Sequence, residues 1–460
     1  MRRIAQLSVA TLAAAAAIFA PTGEAKACGG CFHDPTDNPS VVTDHRMILT
    51  ISQNQTTLYD QVKYQGDPKS FAWVLPIHGN VKVGLSADVV FASLDALTAT
   101  QVRAPQLNCP APPSCPGNDY GPSASAAQDG GAGATPSDGV TVTKNEVVGP
   151  YESVQLSATS PAALENWLTT NHFVVPADVK PIVDAYQKEG FDFLALKLLP
   201  GQGVQSMRPV RVTMPGASPA LPLRMVSAGT GLQVGITLFV IADGRYEPAN
   251  FPSFLIKDDE LVWDWSTNLS NYRTLRTAKE VATKNHAWEL ESSMGVPTYA
   301  IQGAVLSGGQ VFGGGFGGGP GGYRAPAEAD YSGVPATDGG AAGATPDQVR
   351  DADVAALLEG QMPTPRITRL RTDLAHDALS VDLSLNASQD QGEVSNIRQA
   401  SKDLNRPPCP TYEPCPLGLA GFVGAGCAAQ PQSSTGDAFL LGGLGILGIV
   451  IARRRRRNQA

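Results

Sequence analysis

Two stretches of this chain lack the side chains from which a core is made, so whatever folds must be assembled from the segments around them. From Pro110 to about Gly139 the chain is rich in Pro, Ser, Ala and Gly and holds almost no large apolar residue; from Gly308 to about Pro346 it runs through GGGFGGGPGGY. Segments of this composition bury too little surface to offset the entropy of ordering them, and read as loops or linkers. They share a phrase, DGGAGATP ending at Pro136 and DGGAAGATP ending at Pro346, which is a shared composition and not a folded repeat. The glycine spacing imitates a nucleotide-binding fingerprint, but no strand-to-helix context surrounds it, and it carries no weight.

The segments between the tracts have folding patterns. Met47 to Ile51 and Val81 to Leu85 alternate with period two, as half-buried strands do. Phe71 to Pro76 is a continuous apolar run, the pattern of a strand covered on both faces. From Ser86 the spacing turns helical, with Val90, Leu94 and Leu97 on one side. Beyond the first tract, Ser160-Pro161 is an N-cap and first-turn pair ahead of Leu164, Trp167 and Leu168. A second helix is expected from about Ala177 to Glu189, stopped by Gly190. Val210, Val212 and Met214 alternate, and Leu232 to Val240 alternate most cleanly of all. Trp263, Trp265 and Trp288 read as core or cleft wall before ligand platform. A short helix near Asp347 to Glu359 and a strand through Leu379, Val381, Leu383 and Leu385 close the body. The fold class that follows is α+β, mainly antiparallel sheet in two lobes with a few packed helices; an all-β sandwich with decorating helices is the alternative.

Both ends point to a membrane. Arg2 and Arg3 precede an apolar, alanine-rich run from Ile4 to Ala20, and Ala25-Lys26-Ala27 supplies a signal-peptidase pattern, so the mature chain is expected to begin at Cys28. Ala25 and Lys26 do not fit a lipoprotein signal, which leaves ordinary cleavage. At the other end, Ala438 to Ala452 is uncharged and is followed at once by Arg453, Arg454, Arg455, Arg456 and Arg457, a membrane stop. The apolar run is shorter than the ~20 residues a permanent span usually takes. It therefore reads either as a plain single-pass anchor or as a sorting signal that spans only transiently, with Cys427 the candidate for cleavage and lipidation. The resulting division is a signal peptide at 1–27, a first β-rich lobe at 28–108, a linker at 109–139, a second α+β lobe at 140–305, a Gly-rich tract at 306–346, a returning helix and strand at 347–408, a cysteine loop and sorting spacer at 409–437, and the membrane segment at 438–460.

Charge narrows the partners. The whole chain is at −8, and removing 1–27 and 428–460 takes away +6, leaving the exported part at −14. An acidic body without a basic stripe argues against nucleic acid and anionic lipid faces. The expected partners are the membrane, through the tail, and the export and sorting machinery; the external ligand is not identified.

Seven cysteines in an exported chain read first as disulfides. They fall as Cys28/Cys31, Cys109/Cys115, Cys409/Cys415 and Cys427 alone. CPAPPSC and CPTYEPC echo each other, and local pairing within each loop is preferred; a cross-pairing would staple the C-terminal segment back to the first lobe. Cys28-Gly29-Gly30-Cys31 reads as a structural disulfide ahead of a metal half-site with His33 or a redox pair, since glycines give no helix to lower a thiol pKa.

Other chemistry is sparse. The six histidines, His33, His45, His78, His172, His286 and His376, form no metal-ligand pair at helical spacing, and each reads singly as a surface or hydrogen-bonded residue. No nucleophile elbow is present. Asp258-Asp259-Glu260 reads as a solvated turn ahead of a weak Ca²⁺ site. No catalytic residue, metal ligand or cofactor is assigned.

Several phrases carry a resemblance: Ala27-Cys28-Gly29-Gly30-Cys31-Phe32, Phe71 to Pro76, Trp167-Leu168 leading to Val175-Pro176, Phe193 to Leu198, Ile367 to Arg371, and Asp382-Leu383. Together, over roughly residues 27 to 400, they resemble the bacterial domain of unknown function 2330 family, which implies export but no mechanism. The tail, with Gly426-Cys427, a spacer, an apolar run and an arginine cluster, resembles the myxobacterial carboxy-terminal sorting domain (MYXO-CTERM), which implies processing near Cys427 and display at the surface.

The leading expectation is a surface-anchored, non-enzymatic protein with a binding or envelope-structural role. One alternative is an envelope hydrolase whose residues are scattered in sequence, using Asp or Glu with His286 or His172; it gains if a carboxylate and a histidine meet in a buried pocket. The other is redox or metal handling centred on Cys28 and Cys31.

Overall fold

The computed structural model describes residues 31–32, 41–65, 72–110, 145–156, 180–202, 206–227, 232–308, 331 and 345–412. The chain divides into two units, Met1–Pro105 with Pro136–Arg406, and Gln106–Thr135 with Pro407–Ala460. The elements all belong to the first unit.

In chain order, β1 (Cys31–Phe32) precedes the long hairpin β2 (Val41–Ile51) and β3 (Gln55–Gln65); β4 (Ala72–Ile77), β5 (Lys82–Leu85), α1 (Asp88–Thr98) and β6 (Gln101–Arg103) follow. Next come β7 (Asn145–Val148), β8 (Tyr151–Leu156), α2 (Lys180–Lys188), β9 (Asp192–Leu198), β10 (Val210–Pro215), β11 (Ala220–Leu221), α3 (Leu223–Ser227) and β12 (Gln233–Ala242). The short strands β13 (Tyr246–Pro248), β14 (Ser253–Phe254), β15 (Val262–Asp264) and β16 (Leu269–Ser270) lead to α4 (Tyr272–Ala282), β17 (Trp288–Gly295) and α5 (Thr298–Leu306). Last are α6 (Pro346–Leu358), β18 (Arg366–Ala375), β19 (Leu383–Ala387), β20 (Ile397–Gln399) and β21 (Lys402–Leu404).

One sheet of eight strands, ordered β14-β17-β18-β12-β2-β3-β10-β5, is the backbone of the unit; a five-stranded sheet, β1-β4-β9-β8-β7, is the second large one. Pairing is antiparallel except between β12 and β2 and between β14 and β17 in the large sheet, and for two small pairings, β15 with β21 and β20 with β6. The fold is therefore mixed α+β with mostly antiparallel sheets. Strands from before the first tract, between the tracts and after the second alternate within the eight-stranded sheet. That arrangement rests on long-range pairing, which no local periodicity encodes.

Register sorts the side chains of the large sheet onto two faces, because paired residues share a face and neighbours along a strand do not. His45, Met47 and Leu49 of β2 share one face with Leu58 and Asp60 of β3, Val210 and Val212 of β10, Ile236 and Leu238 of β12 and Leu370 of β18. Their apolar members form one core cluster with Trp73, Leu75, Leu194 and Leu196 of the five-stranded sheet. The opposite face carries Arg46, Tyr59, Arg211, Arg369 and Arg371. It lies under α1 and α6: Arg46 Nη2 donates to the Phe91 carbonyl at 3.2 Å and Tyr59 Oη to the Asp353 carbonyl at 3.4 Å.

Local rules set the ends of α6. Thr345 and Gln348 make a reciprocal capping box ahead of Pro346, and Gly360, at φ +73°, ends the helix. A Cβ there would sit 2.9 Å from the Ser52 Cβ, so both conformation and space call for glycine. The strand expected through Leu379–Leu385 starts late: His376–Ser380 is a 3₁₀ turn and β19 begins at Leu383. Asp382 accepts from Tyr186 Oη at 2.5 Å and from Arg224 Nη2 at 2.7 Å, and these bonds hold the segment out of the alternation. The helix expected at Ser160 lies outside the described residues.

Candidate functional site

Besides the hydrogen-bonded hydroxyls of Ser293 and Thr368, the apolar face of the large sheet contains a polar pair with buried atoms left unsatisfied among the described residues. His45 on β2 and Asp60 on β3 sit diagonally, since Asp60 pairs with Met47 and His45 with Val62. Their side chains are 1% and 6% exposed, with His45 Nδ1 3.7 Å from Asp60 Oδ1. That is too long for a hydrogen bond. Neither ring nitrogen of His45, nor Asp60 Oδ1, has a hydrogen-bond partner among the described residues. Among the described residues no arginine or lysine pairs with Asp60. The two side chains line a cavity of about 20 Å³ together with Met47, Trp73, Leu75 and Met225. A space of that size holds about one water. Trp73 and Leu75 come from β4, Met225 from α3.

A histidine and a carboxylate thus meet in a buried pocket, but not the histidines expected. His286 stays at the surface, with Nε2 3.6 Å from Asp377, and His172 lies outside the described residues. The pair lacks what acyl transfer needs, because no Ser, Thr or Cys is among the lining residues, and the space is too small for an organic substrate. The signal in the sequence was the phase of the β2 alternation. Carried two residues back from Met47, it puts His45 on the inward face.

The opposite face holds the other concentration of ionisable groups. Asp353 of α6, 2% exposed, accepts from Arg211 Nη1 at 2.7 Å, Ser86 Oγ at 2.7 Å and Tyr331 Oη at 2.8 Å. Burial pushes the Asp353 carboxyl up, against the lowering by Arg211. Tyr331, fully buried, comes from within the Gly-rich tract, so that tract contributes a core anchor. Arg369 pairs with both Glu291 and Asp95, and Arg46 also reaches Asp95. Arg276 of α4 contacts Glu280 at 3.0 Å, Glu289 at 3.5 Å and Asp373 at 2.5 Å. Glu289, which accepts from Tyr272 Oη at 2.6 Å, is pushed up to about 7 by burial first and then by the charge of Glu291. A carboxyl titrating there could act as an acid or base, but β18, α4 and their arginines cover it.

The cysteines correct one expectation. Local pairing gives way to the cross-pairing: Cys109 is bonded to Cys409, with Cα atoms 5.3 Å apart across 300 residues of sequence. That Cα separation fits a disulfide. The physical reason lies just upstream of both cysteines, where β6 and β20 run parallel, Gln101 beside Ile397 and Arg103 beside Gln399, and deliver the two segments side by side. Cys28, Cys115, Cys415, Cys427 and Arg453–Arg457 lie outside the described residues, and Cys31 enters only through the backbone of β1. Among the described residues no three His, Cys, Asp or Glu side chains cluster as a metal site, and no helix is long and apolar enough to cross a membrane. Asp258–Glu260 is a 3₁₀ turn whose Glu260 pairs with Lys279 at 2.7 Å. Trp288 is core, while Trp263 and Trp265 meet edge to face at 6.4 Å between ring centroids.

No curated protein and no solved structure matches the chain. A family model described as an uncharacterized protein conserved in bacteria (DUF2330) matches residues 22–295, which is more than half of the sequence and takes in both members of the His45–Asp60 pair. The chain belongs to the DUF2330 family.

Proposed function

We propose that this protein is exported and held at a membrane by its tail, and that its folded body serves binding or envelope structure rather than the turnover of a substrate. The observation that carries the reading is the Cys109–Cys409 disulfide. Bridges of this kind form and persist in oxidising compartments. Its position suits a tethered protein: Cys409 lies on the segment that leads to the tail, so a covalent bond shares any pull on that segment with β20 and β21. The non-catalytic half of the reading is supported by the interior charges. Asp353, Glu289 and Glu291 are engaged by arginines or hydroxyls of the same chain, and the His45–Asp60 cavity admits about one water. In this reading Cys427 is the lipidated residue, and Arg453–Arg457 are the stop that processing removes.

Intact mass and thiol alkylation of the protein recovered from membranes test the proposal. The expected species begins at Cys28, keeps Cys109 and Cys409 blocked until reduction, and ends near Cys427 with added lipid mass. A species retaining Arg453–Arg457 without lipid replaces the sorting signal by a plain anchor. A cytoplasmic protein that begins at Met1 with both thiols free sinks the export reading altogether.

A further inference from the structure

The His45 cavity is polar in a way its surroundings do not answer. A carboxylate buried to 6% exposure, without an arginine or lysine among the described residues, wants one positive charge. Both nitrogens of a histidine buried to 1% exposure lack a hydrogen-bond partner among the described residues, and an imidazole nitrogen is a metal ligand as readily as a hydrogen-bonding group. Two thioethers, Met47 and Met225, and the indole of Trp73 also line it, and the rest of the lining is aliphatic. A space of about 20 Å³ brings whatever occupies it into contact with several of these side chains at once.

We propose that this cavity is a binding site for a soft monovalent metal ion, Cu(I), ligated by His45, Met47 and Met225, with Asp60 as the balancing charge and Trp73 against the ion. Each part of the lining selects for that class. Thioether sulfur favours soft ions and gives little to Mg²⁺, Ca²⁺ or Mn²⁺. A divalent ion would leave one charge uncompensated beside a single carboxylate in an apolar enclosure. No third His, Cys, Asp or Glu stands by to hold zinc in its usual set among the described residues. An aromatic face adds attraction for a cation stripped of water. Binding here is independent of the export reading, since it uses only residues of the folded body.

The test uses the full chain with its free thiols alkylated, so that cysteine cannot supply the site. Cu(I), kept reduced with ascorbate under anaerobic conditions, is titrated against a chromogenic Cu(I) chelator. One ion per chain is expected, with quenching of tryptophan fluorescence, displacement by Ag(I) and no competition from Zn(II). Met47→Leu with Met225→Leu conserves volume, so the fold survives. Its affinity should fall by more than the roughly 10–100-fold that loss of an outer hydrogen-bond partner of a ligand costs. His45→Gln should lose the ion as well. No retention of Cu(I) by the alkylated chain, or retention unchanged in the double methionine variant, overturns the proposal. So does Zn(II) binding that depends on His45 and Asp60 but not on the methionines.

Discussion

The two faces of the eight-stranded sheet are built from the same strands, one residue out of phase, and bury their side chains by opposite means. On one, Met47, Leu58, Leu238 and Leu370 join a continuous apolar core, interrupted by hydroxyls that hydrogen-bond, such as Thr368 and Thr372, and by His45 and Asp60, with buried atoms that do not. On the other, Arg211, Arg369 and Glu289 are equally withdrawn from water and are held by ion pairs and hydrogen bonds to α1, α4 and α6. Apolar burial is non-directional and tolerates sliding. A buried pair works only with its partner in place. The charged face therefore carries the stronger positional instructions for the helices, and the apolar face the bulk of the driving force. His45–Asp60 is the exception on its own face, which is why it reads as a site, whereas Arg211–Asp353, with every described contact satisfied, reads as structure.

The largest effect expected from this contrast is at Arg211. Arg211→Met keeps an unbranched apolar stem but leaves Asp353 buried without its cation, and should destabilise by about 3–5 kcal/mol in denaturant unfolding. Adding Asp353→Leu should recover part of that loss, because the stranded charge goes with it. If Arg211→Met proves as mild as an apolar exchange, the charged face is ordinary solvated surface and the contrast fails.

Next in size is a pH effect at Glu289. Its folded pKa, about 7, stands above the ~4.3 of a free glutamate, so the folded state prefers the protonated form. The stability this contributes is complete below the unfolded pKa and is lost as pH rises through 7. The difference is on the order of 3 kcal/mol. Glu289→Gln keeps a neutral acceptor for Tyr272 at every pH. Wild-type stability should therefore drop relative to the variant between about pH 4.5 and 7.5, in unfolding curves taken across that range. Parallel curves would mean that Arg276 holds Glu289 ionised.

The apolar face was the legible one. Alternation placed β2, β10 and β12, helical spacing placed α1, and the short helix expected near Asp347 to Glu359 is α6, because each rests on interactions a few residues apart. The charged face was not legible, since Arg211 meets Asp353 across 142 residues and Arg369 meets Asp95 across 274. Nor was Tyr331, a single anchor in a tract whose composition points to linker. The family match shows the same limit: it stops at Gly295, the end of β17, while the strand that joins β17 to β12 is β18, supplied from Arg366–Ala375. The candidate site was half legible. The phase of β2 marks His45 as inward, but nothing local pairs it with Asp60 or brings Met225 over both.

The smallest effect gives the comparison its control. Leu238 pairs with Met47 on β2 and Leu370 on β18, in the middle of the apolar face, and is fully buried. Leu238→Met introduces on this face the same side chain that Arg211→Met introduces on the other. Methionine is flexible and close to leucine in volume, so the core can refill around it, and the exchange should destabilise by less than about 1.5 kcal/mol. The chemistry of the new side chain is thus constant, and what differs is what its removed predecessor was holding: contacts that re-form on one face, a charge left behind on the other. A Leu238→Met loss as large as that of Arg211→Met would mean that the apolar face is fitted as rigidly as the charged one. The division of labour between the faces would then reduce to depth of burial.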